Sequence, residues 1–185
     1  MPNTKKYIIT AITLGAIASA SAGLIGVTNL ITRDQIKKNE KKLINKGIAA
    51  IFGQNSSILD DFDVEGYTYT NHAYRVQNDE ANQQKMALYT TGSNMYGKIS
   101  LLVGFSETYI PGGTTSEMTF TGLYVIVDEQ TYASTLEDNY ITPLNGGSRE
   151  LDDVSCGATY GAKLVREMVT DATGAANSLM ENNNG

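Results

Sequence analysis

Hydrophobic and polar positions follow three different periods along this chain. Between Lys6 and Arg33 there is no charged residue, and the run "YIITAITLGAIASASAGLIGVTNLIT" would span about 39 Å as a helix at 1.5 Å per residue. That exceeds a bilayer hydrocarbon core of about 30 Å, so residues 7–32 are predicted to be a transmembrane anchor, with residues 1–6 preceding it. From Arg33 to about residue 53, Ile36, Leu43, Ile44, Ile48 and Ile51 recur near helical spacing among charges, which predicts a helical stalk ended by "GQNSS". The middle turns to strand patterning. "GYTYTNHAYRV" alternates in part, "KMALYTT" is a candidate, and "GKISLLVGFS" and "MTFTGLYVIVDE" are long branched and aromatic runs. The segment holding Pro111, Gly112 and Gly113 reads as a turn or loop, as does Asn145 to Gly147. Last, Ala162, Val165, Val169, Ala172, Ala176 and Leu179 form one apolar helical stripe, with Lys163, Arg166 and Glu167 off it. Strands followed by a helix make an α+β domain over residues 54–180, with 181–185 as a frayed tail.

The anchor has a rival in a cleaved signal peptide: Lys5 and Lys6 supply an n-region, and "ASASAG" offers cleavage after Ala20 or Ala22. Apolar residues resume at once and continue to Ile31, which favours an uncleaved anchor. Gly15, Ser19 and Gly23 recur every four residues on one face, a pattern suited to packing against other transmembrane helices.

Charge and chemistry narrow the function. All 20 acidic residues and 12 of the 14 basic ones lie beyond Thr32, leaving that part at −8, so it repels phosphate backbones and nucleic acid is excluded as a partner class. The single cysteine, Cys156, allows neither an intrachain disulfide nor a structural zinc cluster. The single histidine, His72, sits in a polar run and reads as a hydrogen-bonded surface residue rather than a catalytic base.

One stretch remains unaccounted for by packing, "DDVSCGATYGAKLV", Asp152 to Val165. Gly157-Ala158-Thr159 falls where loop gives way to helix. Glycine there permits close approach, the unpaired amides of a first helical turn favour an anion, and the Thr159 hydroxyl either caps the helix or holds a phosphate. A thiol enzyme built on Cys156 lacks a base partner in the sequence.

Asp153-Val154-Ser155-Cys156-Gly157-Ala158-Thr159 resembles the Asp-x-x-Ser/Thr-Gly-Ala-Thr signature of the membrane-anchored flavoproteins of the RnfG and NqrC kind. The resemblance extends to the anchor with "TNLITRDQIKKNEKK", to "NMYGKISLLVGFS" as the family's tyrosine-glycine strand, and to "FTGLYVIVDE" as the strand after it. It implies a small antiparallel-sheet FMN-binding domain with a helix after the motif. It also implies FMN joined by a phosphoester to Thr159, installed by a separate flavin transferase that recognises Asp153, Gly157 and Ala158. Ser155 and Cys156 complete the motif, with Cys156 where Ser or Thr is usual, and Gly161 stands where a hydroxyl residue is common. The family's Glu-Thr-Pro-Gly-Leu-Gly loop is replaced by "DEQTYASTLEDNY", so Tyr132 or Tyr140 is expected against the flavin ring, together with Tyr96 and Gly97.

By the same resemblance the protein is an electron-transfer subunit of an Rnf-type ferredoxin:NAD oxidoreductase complex, working beside other membrane subunits. An NqrC-type subunit of an NADH:quinone reductase and a freestanding extracellular carrier are the alternatives in that class, and the chain's length favours the Rnf kind. A cofactor-free, membrane-tethered binding protein is the rival of another class. Lysines and arginines after the anchor outnumber those before it, a count that keeps the domain in the cytoplasm. The family's topology, and the value of a covalent bond where dissociated FMN would be lost, place the N-terminus in the cytoplasm and the domain outside.

Overall fold

The computed structural model describes residues 4–77, 83–109 and 116–183, with only the main chain at a few helical positions. The turn expected at Pro111 to Gly113 lies outside the described residues. The chain divides into two compact units, Met1–Lys42 and Leu43–Gly185.

The first unit is helical, the N-terminal part of α1 (Thr4–Phe52). Its Lys6–Ile25 segment has a mean hydropathy of 2.0 and none of it is buried within the chain. Such a helix is long and apolar enough to cross a membrane, and it fits a single-pass anchor. The two threonine hydroxyls of this segment are spent internally: Thr10 donates to the Lys6 carbonyl and Thr13 to that of Ile9, each at 2.9 Å, which removes much of the cost of carrying them into lipid. A methyl group added at Gly15 or Gly23 would meet nothing within 4 Å, so the small-residue face is open.

The second unit is α+β. Five antiparallel strands follow in chain order, β1 (Ser57–Asp63), β2 (Thr70–Gln77), β3 (Lys85–Asn94), β4 (Gly97–Tyr109) and β5 (Ser116–Asp128), and each pairs with the next. β3 and β4 pair without a register shift from Lys85 opposite Ser106 to Asn94 opposite Gly97. Alternation sends Ile99, Leu101, Val103 and Phe105 of β4 to one face and Leu102 to the other. The first face is covered by α4 (Thr159–Asn183), whose Ala162, Val165, Val169, Ala172 and Ala176 are all buried, with Leu179 at the margin. The second face takes the end of α1, where Ile44 and Ile48 pack with Tyr74, Val76 and Ile126. Residues 43–52, expected as stalk, therefore form part of the folded unit. α4 also runs on to Asn183, into the segment expected to fray.

Sequence patterning missed two features. β1, "SILDDFD", contributes mainly Ile58 and Phe62 to the sheet. "DEQTYASTLEDNY" is not an open loop. From Ala133 it winds through α2 (Ala133–Leu136), a π-helical turn (Glu137–Ile141) and α3 (Thr142–Asn145). This helical insertion buries Leu136, Tyr140, Ile141 and Leu144 beside α4. It also protects β5: the Asn145 side chain accepts from Leu123 N–H at 2.8 Å and donates to its carbonyl at 2.9 Å, as a neighbouring strand would.

Candidate functional site

Three segments converge at the start of α4. The β3–β4 hairpin is tight: the Asn94 side chain accepts from Tyr96 N–H at 2.8 Å, and Gly97 has φ +135° with no room for a side chain, since a Cβ would lie 2.1 Å from the Glu129 carbonyl oxygen. That carbonyl belongs to the second segment, residues 129–132, which is tied to the hairpin by Thr131 N–H to Tyr96 O at 2.8 Å and by the Gln130 side-chain amide donating to Gly97 O. The third is the motif. Asn94 reaches it through a 3.2 Å bond to the carbonyl of Tyr160.

Together they enclose a pocket of about 290 Å³, at the lower end of the roughly 300–1,000 Å³ range of ligand sites. Tyr96, Tyr132, Gly157, Ala158 and Thr159, five of the candidate site residues named from the sequence, line it. Gln130, Leu136, Tyr160 and Gly161 line it too. Tyr160 and Gly161 follow the motif directly and were legible from that adjacency, whereas nothing local marked Gln130 or Leu136.

The helix begins at Thr159, and Ala158 occupies the cap position, its carbonyl accepting from Ala162 N–H at 3.0 Å. Thr159 is therefore inside the first turn and does not cap it. Among the described residues its hydroxyl, half-buried at the pocket wall, has no hydrogen-bond partner. Gly157 adopts φ +84°, which glycine reaches without strain. Gly161 meets the helical insertion so closely that a Cβ would sit 3.0 Å from Leu136. This contact accounts for glycine where the resemblance led us to expect a hydroxyl residue. The first-turn amides and Lys163, whose ammonium lies 5.8 Å from the Tyr160 ring centre, make this end of the helix favourable to an anion.

Other expected residues serve the loop rather than the pocket. Asp153 and Ser155 are exposed, and both carbonyls accept from the Arg149 guanidinium, at 2.7 and 3.3 Å, while the Asp153 carboxylate pairs with it at 3.4 Å. Cys156 is buried in the main core as a small packing residue, and its carbonyl accepts from Asn139 at 3.2 Å. Gly97 shapes the hairpin behind the pocket. Tyr140 does not reach the pocket at all: it is fully buried, donates to the Leu151 carbonyl, and burial pushes its phenol up to about 12. It fills the core because the insertion coils back under α4, an arrangement that an open loop would not produce.

His72 lies away from this site on β2, its Nδ1 2.8 Å from Asp63 and its Nε2 3.1 Å from Asp61, a hydrogen-bonded surface histidine. Among the described residues no group of three or more His, Cys, Asp or Glu side chains is placed to hold a metal.

Residues 1–46 match the family model of the RnfG N-terminal region. The match supports an RnfG-type family. It covers the anchor and the start of the following helical segment, not the pocket. No curated protein and no solved structure gives a significant match to the chain.

Proposed function

We propose that this protein is an electron-carrying subunit of an Rnf-type membrane complex, with FMN joined by its phosphate to the Thr159 hydroxyl. The observation that carries this reading is Thr159 itself. A threonine at the head of a helix ordinarily earns its place as a cap, and this one caps nothing and stands at the wall of a pocket with a hydroxyl that has no partner among the described residues.

The surroundings fit the group. Gly157 and Ala158 keep the approach to Thr159 clear, the first-turn amides offer donors to phosphate oxygens, and Lys163 adds positive charge beside an otherwise acidic domain. Bound there, FMN supplies the electron-transfer chemistry. The chain's own residues anchor it, orient it and limit its exposure to water. Ser155 and Asp153 stand exposed on the loop before the helix, where a flavin transferase can read them.

The orientation proposed is N-terminus in the cytoplasm and domain outside, where a covalent bond prevents loss of the cofactor. Neighbouring membrane subunits would meet the open Gly15 and Gly23 face of the anchor. In-gel flavin fluorescence of the denatured protein, co-expressed with a competent flavin transferase, tests attachment: wild type should fluoresce and Thr159→Ala should not. A dark wild-type band would remove the flavoprotein reading. Subunits that co-purify after mild solubilisation decide between an Rnf-type complex, an NqrC-type complex and a freestanding carrier.

A further inference from the structure

Resting on attachment at Thr159, we infer that Tyr96, Tyr132 and Tyr160 form an aromatic wall that seats the flavin ring, with Gln130 as its hydrogen-bonding counterpart. The three tyrosines come from three separate segments, yet their rings touch. Tyr96 is central, 5.8 Å from Tyr132 and 5.5 Å from Tyr160 between ring centres, at interplanar angles of 58° and 40°. Those are the spacings of rings already in contact, so nothing inserts between them and a planar guest lies against their outer faces.

The wall is costly as a surface. Tyr132 is 53% exposed and Tyr160 59%, adjoining the pocket that holds Thr159. Single exposed aromatics are ordinary, but three clustered around a hydroxyl without a partner form a patch suited to covering by a ligand. Its width matches a planar heteroaromatic ring better than an aliphatic chain, because the rings offer broad π-faces and little depth.

A second, independent observation points to a ligand carrying a donor. Gln130 is 7% exposed and lines the same pocket. Its Nε2 is committed to the Gly97 carbonyl, which fixes the amide and leaves Oε1, beside Gly161, with no partner among the described residues. That oxygen is not sealed from solvent at the pocket wall, so it is free to accept from a ring N–H or a ribityl hydroxyl placed there.

A tyrosine in contact with an excited flavin quenches it by donating an electron that then returns, so native-state fluorescence reads the wall directly. The test uses full-length wild type, Tyr160→Leu, Tyr96→Leu and a remote control, Tyr109→Leu, at the opposite end of β4. Each is checked by intact mass for FMN, and the ratio of native to denatured flavin fluorescence is measured. Wild type and Tyr109→Leu should be quenched several-fold natively, and Tyr160→Leu, at an exposed helical site that leucine suits, should recover at least twofold. Equal ratios in wild type and both wall variants, with FMN present by mass, would overturn the wall while leaving attachment intact. Absence of FMN from the wild type would overturn attachment, and the wall with it.

Discussion

The guanidinium of Arg149 donates to the main-chain carbonyl of Asp153 at 2.7 Å and spans on to that of Ser155, holding the loop that delivers Thr159 to its pocket. Arg149 lies over the Tyr140 ring at 5.9 Å, and its side chain is only 18% exposed, so the clamp is fastened to the core. Arg149→Ala should cost about 1–2 kcal/mol in urea unfolding of the soluble unit, the scale of hydrogen bonds made by a charged group at a partly exposed site. It should also lower the fraction of chains carrying FMN in an intact-mass spectrum. Full modification with unchanged stability would show that the loop holds its shape without the clamp.

Much of this arrangement was legible in the sequence, and what was not has definite causes. β4 announced itself because both faces of this central strand are buried, giving a long branched run, and β5, although at the sheet edge, because Met118, Leu123 and Ile126 still pack into the cores on its two faces. α4 did so because a helix against a sheet must keep an apolar stripe. β1 was hidden: a bulge between Ile58 and Asp60 breaks the alternation, leaving Leu59 67% exposed, and the strand's outer positions are aspartates, as suits a sheet edge. The insertion at 133–145 was hidden because its helical pieces are four and five residues long, too short for a period to emerge. In the site, the motif and Tyr96 were readable locally, whereas Gln130 and Arg149 matter only through contacts that the fold creates.

Asp171 of α4 takes four hydrogen bonds from the entry to β2: from N–H of Thr68, Tyr69 and Thr70 at 3.0, 3.1 and 2.9 Å, and from the Thr70 hydroxyl at 2.8 Å. Burial by itself would raise its carboxyl, but the four donors outweigh burial and hold it below the usual carboxylate range. A group with a depressed folded pKa contributes stability that is complete above its unfolded value, about 3.9, and is lost as pH falls through the lower folded value. Asp171→Asn should therefore be about 1–2 kcal/mol less stable at pH 7 and should lose less than wild type on acidification below about pH 4. Parallel stability curves for the two proteins from pH 7 to pH 2 would contradict this.

Tyr140 gives the opposite sign at the alkaline end. Burial raises its folded pKa to about 12, above the ordinary phenol value of about 10, so the neutral phenol is favoured by folding and its contribution is lost as pH rises from about 10 toward 12. Tyr140→Phe removes that titration together with the bond to Leu151, at about 1 kcal/mol near neutrality. Thermal unfolding followed from pH 8 to pH 11.5 should fall more steeply for wild type than for the variant.

Gly97→Ala separates steric contact from backbone strain. Its Cβ would collide with the Glu129 carbonyl, whereas at Gly66, φ +88°, nothing lies within 4 Å. Gly66→Ala should cost about 1 kcal/mol, the strain of placing alanine in the left-handed region. Gly97→Ala should cost more than that and should also disturb the pocket, read as reduced modification at Thr159. Equal costs at the two positions would mean that the hairpin shifts away from residue 129 without penalty.

The central claim, that Thr159 carries FMN through its hydroxyl, is tested most directly by the intact mass of the protein isolated from membranes. Wild type and Thr159→Ser, which keeps a hydroxyl at the head of α4, should both be heavier than the bare chain by FMN less one water, and Thr159→Ala should have the bare mass. An unmodified wild-type chain in cells that modify another flavoprotein of this kind, or an equal mass increase in Thr159→Ala, would contradict it.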